Sequence, residues 1–137
     1  MSIRLIRPTM PDFPAHCEII KPAFDGAPMP KLEHTDIVER VKGHQASFYH
    51  FKGDGFSVRI IGQVTDDGYL LIISVGHGLA KCMPTLINAV KKAGHDRLIC
   101  HTYKKGMRRI YRMIGADEIE RFEHKGGIVE TVHALEI

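Results

Sequence analysis

Hydrophobic and polar residues alternate in some stretches of the chain and recur every three to four residues in others, which predicts both strands and helices. Ser2 to Arg7 alternates with a period of two, as a half-buried strand does. A first helix is expected over about Pro14 to Phe24. A second, short helix capped by Thr35 or Asp36 is expected to stop at Gly43. Two helices therefore precede the main sheet.

The middle of the chain has the pattern of an antiparallel meander. Turns rich in glycine and aspartate separate three strand-like stretches, Ser47 to Phe51, Phe56 to Thr65 and Tyr69 to Ser74. Leu70 to Val75 is almost continuously apolar. Such a run predicts a central strand that is buried on both faces.

The last third alternates between helices and strands. A helix up to Ala93 starts either near Cys82, with Pro84 in its first turn, or at Leu79 with a kink, and the first is preferred because proline is pre-organised there. Arg97 to Thr102 predicts another buried strand, and Gly106 to Ile114 predicts a helix with one apolar stripe. The tail is expected to form a hairpin around a Lys-Gly-Gly turn.

Length and composition predict a single domain over residues 1–137, since 44% of the residues are hydrophobic and no linker interrupts the pattern. No apolar run approaches the roughly 18 to 20 residues that cross a bilayer, and the first residues lack the apolar core of a signal peptide. The cysteines Cys17, Cys82 and Cys100 form no C-x-x-C pair. We expect a cytoplasmic protein with reduced thiols and no membrane partner.

Positive charge is concentrated between Lys81 and Arg112, where Asp96 is the only carboxylate. Such a stretch would attract the phosphates of a nucleotide cofactor or of a nucleic acid, or it is a solvated surface without a ligand. The nucleic-acid alternative depends on five basic residues, Lys104, Lys105, Arg108, Arg109 and Arg112. No exposed aromatic residues are interleaved for base stacking, which argues against this alternative.

Two short motifs resemble those of the GNAT superfamily of N-acetyltransferases. The opening IRLIRP at residues 3–8, followed by Asp12, is similar to the common start of GNAT domains, and IYRMIGA at residues 110–116 is similar to the LYxxxGF end of the family's last helix. The resemblance covers the whole chain. It implies an α/β (α+β) fold with a mixed, mostly antiparallel sheet of six to seven strands and about four helices.

The resemblance also implies a site for acetyl-CoA. In the family, the strand before a glycine loop separates from its neighbour and binds the pantetheine arm, while amides at the next helix start bind the pyrophosphate. The corresponding cofactor-binding positions are Ile72, Ile73, Ser74, Val75, Gly76, His77, Gly78 and Lys104. Ile73 stands where the family has Gln or Arg, and Lys104 stands where many members have Asn.

Acetyl transfer to an amine needs a base for the amine and a proton donor for the leaving thiolate. Tyr111 matches the tyrosine that many GNAT enzymes use as the donor, and it is also a candidate core residue on the apolar stripe of its helix. No carboxylate lies on the two strands next to the site, so His101 is the candidate base, with a structural role as the alternative. The nine histidines have no metal-site spacing, and no metal is expected.

Two functions follow from the sequence. The first is an acyltransferase that moves acetyl from acetyl-CoA to an amine on a small molecule or a protein. The second is a non-catalytic GNAT-like protein, similar to internal virion proteins of short-tailed phages, that acts in a virion or as a homodimer. Ile73, Lys104 and the missing carboxylate favour the second function.

Overall fold

One mixed sheet organises the chain. The computed structural model describes residues 1–137 without a gap. The strands are β1 (Ser2–Ile6), β2 (Ser47–Gly53), β3 (Phe56–Thr65), β4 (Gly68–His77), β5 (Arg97–Thr102), β6 (Asp117–Glu123) and β7 (Val129–Glu136). They lie in the order β1-β2-β3-β4-β5-β7-β6, and only β4 and β5 run parallel. The mixed, mostly antiparallel sheet expected from the sequence is confirmed.

Helices cover both faces of this sheet. They are α1 (Phe13–Ile19), α2 (Pro30–Lys42), α3 (Leu79–Lys92) and α4 (Lys105–Met113), and short 3₁₀ segments cover Lys21–Phe24 and Lys125–Gly127. We call the side packed by α1 and α2, with Phe48 and Ile61 in its core, the front face. The side packed by α3 and α4, with Leu71 and Cys100 in its core, is the back face. None of the helices combines the length and the apolar character that crossing a membrane requires.

The predicted bounds of the first two helices are wrong. The α-helix expected over Pro14 to Phe24 ends at Ile19, because Pro22 has no N–H with which to continue it, and a 3₁₀ segment follows. The second helix begins at Pro30, several residues before the expected cap at Thr35 or Asp36. Proline is favoured at this first position. In addition, the Met29 N–H donates to Glu33 Oε2 at 3.1 Å, which caps the helix.

The predicted start of the third helix is also wrong. Helix α3 begins at Leu79 and passes through Pro84, which removes one intrahelical hydrogen bond. Its buried residues explain why the helix nevertheless starts early. They follow helical spacing against the back face: Leu79, Cys82, Met83, Leu86 and Val90. Burial of this continuous stripe offsets the loss at the proline.

Candidate active site

Strands β4 and β5 separate in the middle of the sheet. They pair only at Tyr69 with Leu98, Leu70 with Ile99 and Leu71 with Cys100. Strand β4 continues to His77 along β3, but its β5 side has no strand partner after Leu71. The backbone N–H and C=O groups that point to that side are free to bind a ligand.

A β-bulge at Ile72 accounts for the separation. Along β3 the register passes from Ile61 paired with Ile73 to Gly62 paired with Leu71, so Ile72 is an extra residue on β4. A bulge bends its strand and changes which face the following side chains occupy. Leu71 accordingly packs in the back core and Ile73 in the front core. The bend begins at the residue after the last β4–β5 pair.

A cleft of about 470 Å³ opens at the separation. Its walls come from α2, the 3₁₀ segment Lys21–Phe24, β4, β5, α4 and β7. Six of the residues named from the sequence line it, namely Ile72, Ile73, Ser74, His101, Lys104 and Tyr111. The fold thus brings the two candidate catalytic residues to one cleft.

His101 is held by a carboxylate that the sequence analysis missed. His101 Nε2 lies 2.6 Å from Glu130 Oε2, and His124 Nε2 lies 2.8 Å from the other carboxylate oxygen. Burial opposes ionisation of Glu130, but the hydrogen bonds from His124 and His101 outweigh it and hold the pKa of this carboxyl below its usual value. Glu130 is therefore ionised at neutral pH and accepts a hydrogen bond from the N–H of each imidazole.

This contact decides which nitrogen of His101 is basic. An ionised carboxylate at 2.6 Å requires an N–H donor, so the proton of the neutral ring lies on Nε2. Nδ1 then carries the lone pair, and it lies 3.4 Å from the carbonyl oxygen of Ile72, which can only accept, so this contact becomes a hydrogen bond when Nδ1 takes up a proton. The basic nitrogen of His101 therefore faces the bulge of β4, where the strands part.

The absence of a carboxylate near the site, expected from β4 and β5 alone, is wrong. Glu130 lies on β7, which pairs with β5 along its whole length, with Val132 opposite His101. Glu33 reaches the cleft from α2. The sequence signal for Glu130 was the closing hairpin, but nothing in the sequence indicated which strand the hairpin would join.

Two hydrogen bonds cross the cleft from the end of β5. The Tyr103 hydroxyl donates to Glu33 Oε1 at 2.6 Å, and Lys104 Nζ donates to the carbonyl of Pro22 at 2.7 Å. Burial and the bond to Glu33 raise the pKa of Tyr103, so its proton stays in place. The ammonium group of Lys104 is thus engaged with the front wall of the cleft.

Tyr111 packs against the back face with 1% of its surface exposed. Its ring centroid lies 5.5 Å from that of His133. Burial and the nearby Cys100 raise the pKa of its phenol, and the Ser74 hydroxyl opposes them. Tyr111 is therefore fully protonated at neutral pH. The side chain is both a core residue and part of the cleft wall.

The cysteines near this site are poor nucleophiles. Burial raises the pKa of Cys100 to about 12 and that of Cys82 to about 11. Nucleophilic attack requires the thiolate, so these thiols are inert at neutral pH.

No protein-family model matches the sequence, and no curated protein matches it in sequence. Solved structures do match. A protein from Desulfovibrio desulfuricans assigned to the GNAT family of acetyltransferases is 15% identical, with 98% of this chain and 99% of that chain covered and a TM-score of 0.64. The chain has the GNAT fold.

Two further structures with the GNAT fold cover nearly the whole of both chains. The ribosomal-protein-alanine N-acetyltransferase from Brucella melitensis is 13% identical over 100% of each chain, with a TM-score of 0.63. An aminoglycoside 6'-N-acetyltransferase complexed with coenzyme A is 10% identical over 99% of this chain and 97% of that chain, with a TM-score of 0.60. At these identities the likeness establishes the fold.

The glycine segment 76–78, expected from the sequence to be a loop, is instead the end of β4, where Gly76 pairs with Val58 and His77 with Ser57, and Gly78 alone joins β4 to α3. Gly76 has a φ of +143°, and a Cβ at this position would overlap the carbonyl oxygen of Ser57. Gly78 has a φ of +75° and approaches the carbonyl of Gly55. His77 between them is exposed, and Val75 before them is half-buried. This glycine segment is therefore held tightly against the start of β3.

Helix α3 begins directly after Gly78, and its first backbone N–H groups have no capping partner. No side chain caps it, and its first turn contains no carboxylate. The first N–H groups of a helix lack intrahelical partners and carry partial positive charge. Lys81 adds a full charge in the same turn. This helix start is suited to an anion.

Ile73 differs from the GNAT pattern for a reason visible in the fold. The residue is 7% exposed and packs in the front core with Phe48 and Ile61. A Gln or Arg side chain in the same place would be buried without a partner. Ile73 thus contributes packing, and only its backbone is available at the separation of the strands.

Proposed function

We propose that this protein is an N-acetyltransferase that moves the acetyl group of acetyl-CoA to an amine. The observation that carries the proposal is the separation of β4 and β5 at Ile72, with a carboxylate-held histidine directly beside it. A separated strand pair, a basic nitrogen and a protonated phenol in one cleft are the parts that acyl transfer from a thioester requires.

The cofactor would occupy the separation of the strands. Free backbone groups of Ile72, Ser74 and Val75 would bind the pantetheine arm, and the side chain of Ile73 would stay in the core. The pyrophosphate would bind at Gly76 to Gly78 and the open amides of α3, with His77 at its side. The bond from Lys104 to Pro22 favours a role in closing the cleft over a direct contact with phosphate.

His101 would act on the amine. Its Nδ1 accepts a proton from the neutral amine as that amine attacks the thioester carbonyl, and the imidazolium that forms is stabilised by Glu130 on Nε2. Tyr111, protonated at neutral pH, donates to the sulfur as the carbon–sulfur bond of the thioester breaks. The amine nitrogen gains the acetyl group, and CoA leaves as the thiol. The site is restored when the imidazolium of His101 releases its proton and the tyrosinate of Tyr111 takes one up.

The acceptor amine would enter from the front face. Aminoglycosides and a ribosomal-protein alanine are the acceptors named for two of the GNAT structures above. The cleft wall carries the carboxylates of Glu33, Asp36, Asp67, Glu120 and Glu130 beside the cations Arg40, Arg97 and Lys104, and Arg40 pairs with Asp36. The excess of carboxylates favours an acceptor that carries positive charge, on a small molecule or a protein. Three buried free cysteines fit a cytoplasmic enzyme.

A second function keeps the fold without the chemistry. The apolar Ile73 and the deeply buried Tyr111 favour a non-catalytic role, as a virion component or an interaction module. This alternative predicts no affinity for CoA compounds. It also predicts a stable complex of the protein with itself or with another chain.

The proposal is tested by thiol release from acetyl-CoA over a panel of amines, including polyamines, aminoglycosides and peptide N-termini. We expect turnover with at least one amine, and a fall of about 10²-fold or more in His101→Gln. His44→Gln is the control, because His44 is an exposed histidine in a turn. Equal rates in both variants would exclude His101 as the base.

A further inference from the structure

A group of cations lies on the front face, away from the cleft. Arg4, His50 and Arg59 occupy one row across β1, β2 and β3, where Arg4 pairs with His50 and His50 pairs with Arg59. Lys52 follows His50 by two residues on β2 and shares its face. We call Arg4, His50, Lys52 and Arg59 the basic sheet surface. It begins where α1 stops covering the front core.

The charge of this surface is not neutralised by neighbours. None of Arg4, Lys52 and Arg59 takes part in an ion pair. Arg59 Nε donates instead to His16 Nδ1 at 3.1 Å, and the other ring nitrogen of His16 lies 3.1 Å from the carboxylate of Asp12. A partly desolvated guanidinium whose own partner is an imidazole provides a site for an external anion.

His50 reports the local field. Burial is the first cause that lowers its pKa to about 4, and the charges of Arg59, Lys52, His16 and Arg4 lower it further. Three of these groups, Arg59, Lys52 and Arg4, are permanent cations at neutral pH. The ring stays neutral and accepts or donates within a 2.8 Å hydrogen bond to Ser57.

The basic residues on α4 are in a different situation. Arg108 lies close enough to Glu118 on β6 to lower the pKa of that carboxyl, after the stronger effect of Arg121. Arg121 itself pairs with Glu118 at 2.8 Å. Strand β6 thus supplies a carboxylate beside α4, whereas Arg4, Lys52 and Arg59 form no ion pair and Asp12 reaches Arg59 only through His16. An external polyanion would prefer the sheet.

The composition of the surface indicates what kind of anion fits. Protein interfaces are built around a buried apolar or aromatic centre, and this row offers only the half-buried Val75 at its end. Binding of single strands uses aromatic stacking, and no aromatic side chain stands among these residues. Binding to the phosphate backbone of a duplex requires only cations on the protein surface. Arg4 and Arg59 are two strands apart, or about 10 Å, which spans several duplex charges.

We propose that the basic sheet surface binds the phosphate backbone of duplex nucleic acid without sequence preference. This inference is independent of the acetyltransferase proposal, because the surface shares no residue with the cleft. The expectation from the sequence argued against nucleic-acid binding, but it considered only Lys104 and the basic residues of α4.

The test is fluorescence anisotropy with a labelled 20-base-pair duplex of mixed sequence at 50 to 200 mM NaCl. Three phosphate contacts predict a slope of log K against log salt near −2.7, or about a 40-fold loss over this range. The double variant R4E/K52E should lose at least tenfold in affinity at 50 mM. Its slope should fall by about two, because only the contact of Arg59 is left.

K105E/R109E on α4 is the matched control, since it removes two exposed cations with the same change in net charge. A loss below threefold in the control supports the proposal. Equal losses in the two variants, or no binding by the unmodified protein at 50 mM, would overturn it. Displacement of the duplex by 1 mM CoA would instead assign the surface to the cofactor. Displacement by polyglutamate at equal charge would indicate an acidic protein partner, and it would also overturn the proposal.

Discussion

At the residue scale, the chemistry proposed for the cleft depends on a side chain from outside the separated strands. Glu130 holds both His101 and His124 through its two oxygens. It thereby fixes which nitrogen of His101 is protonated. Without the carboxylate, the ring is free to rotate and to adopt the other tautomer.

We therefore expect Glu130→Gln to lower kcat/KM by about 10²-fold with little change in affinity for acetyl-CoA, because an amide orients the ring but does not stabilise the imidazolium. Steady-state kinetics and a binding titration measure the two quantities. Glu120→Gln is the control, since Glu120 is an exposed cleft residue with the same charge. Equal losses in both variants would indicate a general effect of charge.

Tyr111→Phe separates the two roles of Tyr111. When Tyr111 is the proton donor, Tyr111→Phe should lower kcat by about 10²-fold and leave the KM for acetyl-CoA unchanged. The substitution removes only the hydroxyl from a ring that still packs. Tyr69→Phe is the matched control, since it removes a hydroxyl from another tyrosine whose pKa burial raises, on the far side of α3. Wild-type turnover in Tyr111→Phe would leave Tyr111 as a core residue only.

At the scale of elements, the junction between β4 and α3 is fixed by glycine. Gly76→Ala should lower the free energy of unfolding by about 1–3 kcal/mol, because alanine is strained at a φ of +143° and its Cβ meets the Ser57 carbonyl. Gly106→Ala in α4 meets nothing and should instead raise stability by up to about 1 kcal/mol. Urea denaturation measures both. A neutral Gly76→Ala would show that the loop is looser than its packing indicates.

The order of the elements could be predicted from the sequence, but their partners could not. The meander and the closing hairpin follow from local turns, and α4 follows from its apolar stripe. The bulge at Ile72 and the pairing of β7 with β5 are long-range features with no local pattern. The starts of α2 and α3 were missed because Pro30 and Pro84 are tolerated for reasons that depend on capping and on burial. His101 was found from its position, whereas Glu130 required the register.

At the scale of the whole molecule, the basic sheet surface makes stability depend on pH. The folded pKa of His50 is about 4, below the 6.5 of an unfolded histidine. Between these values the unfolded chain binds more protons, so stability is lost as the pH falls from 6.5 towards 4. We expect the melting temperature to drop between pH 7 and pH 5, and to drop less in His50→Gln. Identical pH profiles would show that His50 is not responsible.

The measurement that tests the central claim most directly is a thermal-shift titration with acetyl-CoA, with CoA and dephospho-CoA alongside. A ligand at 100 times its dissociation constant stabilises the fold by about 2.7 kcal/mol, or roughly 10 °C for a chain of this size. We predict a saturable rise with acetyl-CoA that is much reduced in Gly76→Ala after correction for its lower baseline. No rise at millimolar acetyl-CoA would contradict the account and would leave a GNAT fold without its cofactor.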